Sequence, residues 1–313
     1  MTGAAPLAFL FATLGAVLAQ EPAGDEGYLR WAVERLDSPE GEVRENAFQS
    51  LLKEGPAAVP RAIEGFDAAS PRARRLRARL VRRAGGAEAL DPVRARLLDP
   101  DPEVRGEWAG YLGRVDLPRA SVPGRASDLA RLARDAAPEV SRTALEGLTR
   151  LDHPSSAREL ASLARSSEPR LRRDAASALG SIPSGRTHLL ELALDLEAKD
   201  PLLFAQLLPL LGAALASLEG KEAGRDPEPA LRLFARHWAD ADPVVRWAAR
   251  AGFLGWVGGL NALRKHGRAA TLLERMVGMG GEAPSLLERV VVEHLFWTRD
   301  EAAAARWIGR LEL

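Results

Sequence analysis

The residue types that most often carry chemistry are thin in this sequence. His153, His188, His237, His266 and His294 are scattered, with no pair at metal-ligand spacing. Neither His-Glu-x-x-His nor Gly-x-Ser-x-Gly occurs, so the signatures of zinc and serine hydrolases are missing. There is no Cys, which removes thiol nucleophiles, thiolate metal sites, disulfides and a lipid-bearing terminal Cys. Gly278-Met279-Gly280-Gly281 lacks the Lys and the strand context of a phosphate loop. The expectation is a chain without a catalytic centre, a bound metal or a cofactor.

The groups that remain suit contact. Residues 71–83 are the most basic stretch, and Arg72, Arg75, Arg79 and Arg82 fall on one face at helical spacing. They read either as an anion-binding stripe or as a solvated face paired with Asp and Glu of adjacent turns. The formal net charge of zero gives no global case for nucleic acid. Trp108 and Trp247 are the aromatic candidates, each either a partner contact or core packing. The partners implied are a protein and, through the Arg stripe, an anionic polymer, with the chain itself a monomer.

A repeated phrase must position these groups. Asp101-Pro102-Glu103-Val104-Arg105 returns as Asp242-Pro243-Val244-Val245-Arg246, with looser copies around Val43, Val140 and Leu171. Asp can accept free N–H groups at a helix start, and Pro fits the first helical position because its missing N–H would be unbonded there. The apolar anchor of the phrase is Val43, Ala73, Val104, Val140, Leu171, Leu203, Val245 and, weakly, Leu286, at intervals of about 30 to 42 residues. Four positions on come Ala47, Ala144, Ala175 and Ala249; eight on come Leu51, Val81, Leu112, Leu148, Leu179, Leu211 and Phe253. Offsets of 0, 4 and 8 share one helix face. Arg44, Arg74, Arg105, Arg172 and Arg246 follow their anchors directly. Three positions after the anchor, the expected outward row is Asn46, Glu107, Thr143, Asp174, Gln206, Ala248 and Arg289. A second helix fits before each phrase, for example at 128–134, 157–165 and 230–238. Such a unit, repeated at this period, predicts an all-α solenoid of about eight helix pairs with a closing helix over 300–313.

The pattern Asp-Pro-x-Val-Arg-x-x-Ala-x-x-x-Leu resembles HEAT repeats, particularly the short bacterial HEAT-like type, over roughly residues 27–313. It is strong at Val104, Val140, Leu171 and Val245. The resemblance implies stacked antiparallel helix pairs with the second helices lining a concave face, and a recurring Arg that reaches an acid in a neighbouring turn. Ser141 stands where that Arg would be, which predicts an interruption. Some HEAT-like proteins are enzymes. The deoxyhypusine hydroxylase family uses repeated His-Glu pairs for iron, and this chain has only Glu293-His294, in reversed order. HEAT-like DNA glycosylases use Trp, Asp and Arg in a basic groove; Trp108, Trp247 and many Arg exist here, but export would remove the genome. The favoured function is an exported scaffold that binds protein through the concave face. The alternatives are an anionic-polymer or envelope-surface binder using residues 72–83, and an enzyme on a repeat platform.

Residues 1–20 carry no charged side chain, and Val17-Leu18-Ala19 offers a signal-peptidase site before Gln20. This predicts a signal peptide over 1–19, a mature solenoid over 20–313, and a periplasmic or extracellular location. An uncleaved membrane anchor is the alternative, although the stretch is short for a bilayer. Further on, 117–127 reads as a longer loop, Pro209 as a kink in the apolar stretch 201–218, and 219–229 as a hinge or insertion.

Overall fold

In the computed structural model, residues 25–219 and 227–279 are described. Among them every regular element is helical. The helices are α1 (Asp25–Arg35), α2 (Gly41–Glu54), α3 (Val59–Ile63), α4 (Pro71–Ala84), α5 (Leu90–Arg94), α6 (Pro102–Leu112), α7 (Val122–Leu132), α8 (Pro138–Leu151), α9 (Pro154–Leu163), α10 (Pro169–Ser181), α11 (Arg186–Leu196), α12 (Pro201–Glu219), α13 (Glu228–Arg236), α14 (Pro243–Ala262) and α15 (His266–Met279). The fold is an all-α solenoid. The expected signal peptide, the core of the 219–229 segment and the closing helix lie outside the described residues, as do Leu286 and Arg289.

The chain divides into two compact units. The first holds described residues 25–121 and 131–147; the second holds 122–130 and the described residues from 148 on. In both, the repeated phrase starts a helix as its chemistry predicts. Asp101 accepts from the Glu103 N–H at 2.9 Å, and Asp242 from the Val244 N–H at 2.8 Å. Pro opens α4, α6, α8, α10, α12 and α14. Gly55 ends α2 at φ 61°, a left-handed conformation that Gly adopts without a Cβ penalty.

The core follows the anchor rule. Ala73, Val104, Val140, Leu171, Leu203 and Val245 are buried, and so is the whole row eight positions on, from Leu51 to Phe253. Val43, in the first phrase, is only half-buried. Where the middle position is Ala the neighbours close on a small side chain; in α6 it is Trp108, which packs on Phe66 with ring centroids 5.3 Å apart.

Two expectations need correction. Residues 117–127 are not a long loop, because α7 already begins at Val122. Pro123 and Gly124 look like breakers in sequence, but Pro is welcome in a first helical turn. Ala248 is 2 % exposed, so it does not belong to the outward row. Its neighbour Trp247 does, at 67 % exposed. The apolar stretch 201–218 is one helix through Pro209, and 56 % of it is buried inside the protein.

Candidate functional site

The recurring Arg has two jobs, and the first is local. Arg105 bends back from α6 and donates to the carbonyls of Asp99 (2.7 Å) and Pro100 (3.1 Å) in the turn before its own helix. Arg44 does the same to Ser38 and Pro39, Arg172 to Ser166 and Ser167, and Arg246 to Asp240 and Ala241. A turn between two helices leaves carbonyls that no helix satisfies, and this guanidinium satisfies them. The second job links repeats. Arg74 meets Asp99, Arg105 meets Asp135, and Arg172 meets Asp200, at 3.2, 2.6 and 2.6 Å. In α8 the position is Ser141, whose hydroxyl donates to the Ala133 carbonyl, while Arg142 pairs with Glu139 and Glu146 on its own helix. The link is replaced there by a purely local bond.

The Arg stripe of α4 is committed to carboxylates. Arg75 binds Asp101 at 2.6 Å and Glu103 at 3.1 Å. Glu107 takes Arg79 on one oxygen and Arg82 on the other, at 3.2 and 3.1 Å. Burial pushes the Asp101 carboxyl up, but its bonds from Arg75 and from the Glu103 N–H hold it below the usual carboxylate range. Of the four stripe residues, Arg72 is exposed, and no ion pair to it is found among the described residues. Gly110 is part of this arrangement, since a Cβ there would stand 2.5 Å from Arg82 Nε. Arg77, on the inner face of the same helix, is buried and donates to the Glu64 carbonyl; burial lowers its pKa from the usual guanidinium value.

The two Trp candidates part ways. Trp108 is 1 % exposed and is a core residue, so its role as a contact is withdrawn. Its position explains this: it stands in the anchor-plus-four place, which always faces inward. Trp247 stands outward on α14. The repeat residues Val104, Val140, Leu171 and Val245 are buried, and Arg105, Arg172, Arg246 and Asp242 perform the turn and cap roles described above.

Sequence reasoning missed one cluster. His237, directly after α13, lies between Asp240 Oδ2 (2.6 Å from Nδ1) and Glu197 Oε1 (2.9 Å from Nε2), and Arg236 also reaches Glu197 at 2.6 Å. Glu197 is 40 residues away in sequence, so spacing gave no sign of it. Phe204 stacks edge-on to the ring at 4.9 Å. A cavity of about 270 Å³ in the second unit is lined by Arg165, Arg172, Asp195, Lys199 and Asp200, where the Arg165–Asp195 and Arg172–Asp200 pairs are closed at 2.6 Å. Among the described residues no group of three or more His, Asp or Glu is placed to hold a metal ion.

The outward faces of the Pro-started helices differ from repeat to repeat. In α4 they are basic, in α6 they carry Glu103 and Glu107, in α8 and α10 they mix charges, and in α12 and α14 they are uncharged. The inward faces are apolar almost throughout, with Trp108, Phe204 and Phe253 among the Ala, Val and Leu, and with Arg77 and Asn261 as the buried polar exceptions.

A family model described as HEAT repeats matches residues 127–201. No curated protein matches this chain. Among solved structures, the chain is similar to a designed armadillo repeat protein in complex with peptide (KR)4, at 17% identity over 73% of this chain and 99% of that one, with a TM-score of 0.35. It is also similar to an engineered protein from the Northeast Structural Genomics Consortium, at 15% identity over 92% and 91% of the two chains, with a TM-score of 0.36. The match to HEAT repeats covers residues 127–201, and the capped turn, Arg clasp and buried anchor row recur in the phrases around them.

Proposed function

We propose that this protein is an exported scaffold that binds another protein through the outward faces of its Pro-started helices, the concave face in the family it resembles. One observation carries the reading: inward positions stay apolar through the repeats, apart from Arg77 and Asn261, while the outward positions change charge from helix to helix. Stacking needs the first and has no use for the second. A varied extended surface suits a partner that touches several repeats. That step from fold to binding is an analogy, and the residues give it local content. The anionic-polymer reading is less supported, because Arg75, Arg79 and Arg82 already face carboxylates. Export rests on the charge-free residues 1–20 and on Val17-Leu18-Ala19.

The test uses the mature chain, immobilised, against the envelope fraction of the organism that exports it. A stoichiometric protein should be retained. Reversing exposed outward charges with Arg170→Glu, Arg173→Glu and Asp174→Arg should weaken retention at least tenfold with helicity unchanged. Retention indifferent to these changes, or a turnover measured for the purified chain, would refute the reading.

A further inference from the structure

The longest described helix carries a symmetric pattern on its exposed side. Along α14 the outward stripe is Val244, Trp247, Ala251, Gly255 and Gly258, with intervals of three, four, four and three residues. The series reads the same in both directions about Ala251. Its two ends differ in size: Val244 and Trp247 are 51 % and 67 % exposed, whereas Gly255 and Gly258 leave open space, the nearest atom to a Cβ at Gly255 being 4.0 Å away. No residue of the stripe is charged. The charged residues of α14 are turned away, Arg246 onto the Asp240 and Ala241 carbonyls and Arg250 onto the Trp238 carbonyl.

The neighbouring α12 extends this uncharged face. It runs alongside α14 in close contact, with no room for a Cβ between Gly252 and the Leu208 carbonyl, which would stand 2.4 Å apart. Its outward residues include Leu202, Gln206 and Ala213. Two such helices present a plate about 30 Å long and about 20 Å wide. That is about 600 Å² per molecule, which is at the lower end of what a specific dimer buries.

We propose that a second copy of this chain covers the plate, with α14 packed antiparallel on α14 across a two-fold axis at Ala251. That placement sets each Trp247 over the partner's Gly255 and each Val244 over the partner's Gly258. A two-fold contact must be self-complementary, and a palindromic stripe with large residues at one end and small ones at the other satisfies this. The ends agree in charge. The exposed Asp242 at the start of α14 comes near the exposed Arg264 just beyond the partner's α14. Opposed helix directions also bring unlike macrodipole ends together. The inference replaces the monomer expected from sequence and goes beyond the scaffold reading.

Sedimentation velocity of the full chain from 1 to 100 μM tests it. Wild type should show a reversible monomer–dimer equilibrium. Trp247→Ala and Gly255→Glu should each weaken it at least tenfold, with circular dichroism unchanged. The exchange Trp247→Ala with Gly255→Trp should restore association, because it regenerates a large residue opposite a small one. A wild-type chain monomeric at 100 μM, a dimer indifferent to Trp247→Ala, or an exchange variant that stays monomeric would each overturn the proposal. So would a monomer that floats with phosphatidylcholine vesicles through Trp247, which would make a lipid surface the occupant. Partner capture by the monomeric Trp247→Ala variant would leave the scaffold reading intact, so the two can fail separately.

Discussion

Arg105 and Asp135, thirty residues apart, form a two-bond clasp between successive repeats of the first unit: Nε to Oδ2 at 2.6 Å and Nη2 to Oδ1 at 2.8 Å. Asp135 also accepts the Ala137 N–H at 2.8 Å, just before α8. One carboxylate thus shapes its own turn and holds the preceding repeat, while Arg105 closes the turn before α6.

Asp135→Asn should therefore destabilise the protein by about 2 kcal/mol at neutral pH, as loss of a largely buried charge-assisted pair does. Arg105 holds the Asp135 carboxyl below its usual range. A carboxyl lowered by folding contributes stability above its unfolded value of about 4 and loses it as pH falls through the folded value. The gap between wild type and variant, read by urea unfolding, should be full at pH 6 and shrink below about pH 4. A gap that is constant down to pH 2 would contradict this.

Gly252→Ala should destabilise, although Ala is the better helix former by about 1 kcal/mol. The added methyl would meet the Leu208 carbonyl at 2.4 Å and Phe234 Cε1 at 2.6 Å, forcing α12 and α14 apart. Thermal unfolding should show a lowered Tm. A raised Tm would mean that helix propensity outweighs the contact.

Much of the fold was legible because two local rules agree. Asp101-Pro102 and Asp242-Pro243 mark helix starts through capping, and the 0, 4, 8 apolar row marks the buried face. The outward face was harder to read. In α14 the anchor Val245 was read correctly, but the position three after it was expected outside; offsets of three and four share a helix face, so Ala248 lies inside with Ala249, and Trp247 lies outside. The fold-back of Arg105 onto its own turn and the His237–Glu197 contact depend on where carbonyls and distant side chains land, which periodicity does not encode. For the α4 stripe the sequence left both readings open, and Glu107 between Arg79 and Arg82 supplied the missing fact.

Glu107→Gln should free both guanidiniums at once. The variant should elute from immobilised heparin at distinctly higher salt than wild type, since exposed cations gain affinity by releasing counterions from a polyanion. Tight, salt-sensitive binding by the wild type that Glu107→Gln leaves unchanged would mean that the paired stripe already serves as an anion site.

Hydrogen exchange of the full chain, with and without its captured protein partner, tests the scaffold reading most directly. Protection should spread over several Pro-started helices, α6, α8 and α10 among them, with no single residue dominating outside an aromatic or Arg hot spot. Protection confined to one repeat, or a single outward substitution that abolishes a measured turnover while helicity is kept, would show instead that the repeats carry a localised site.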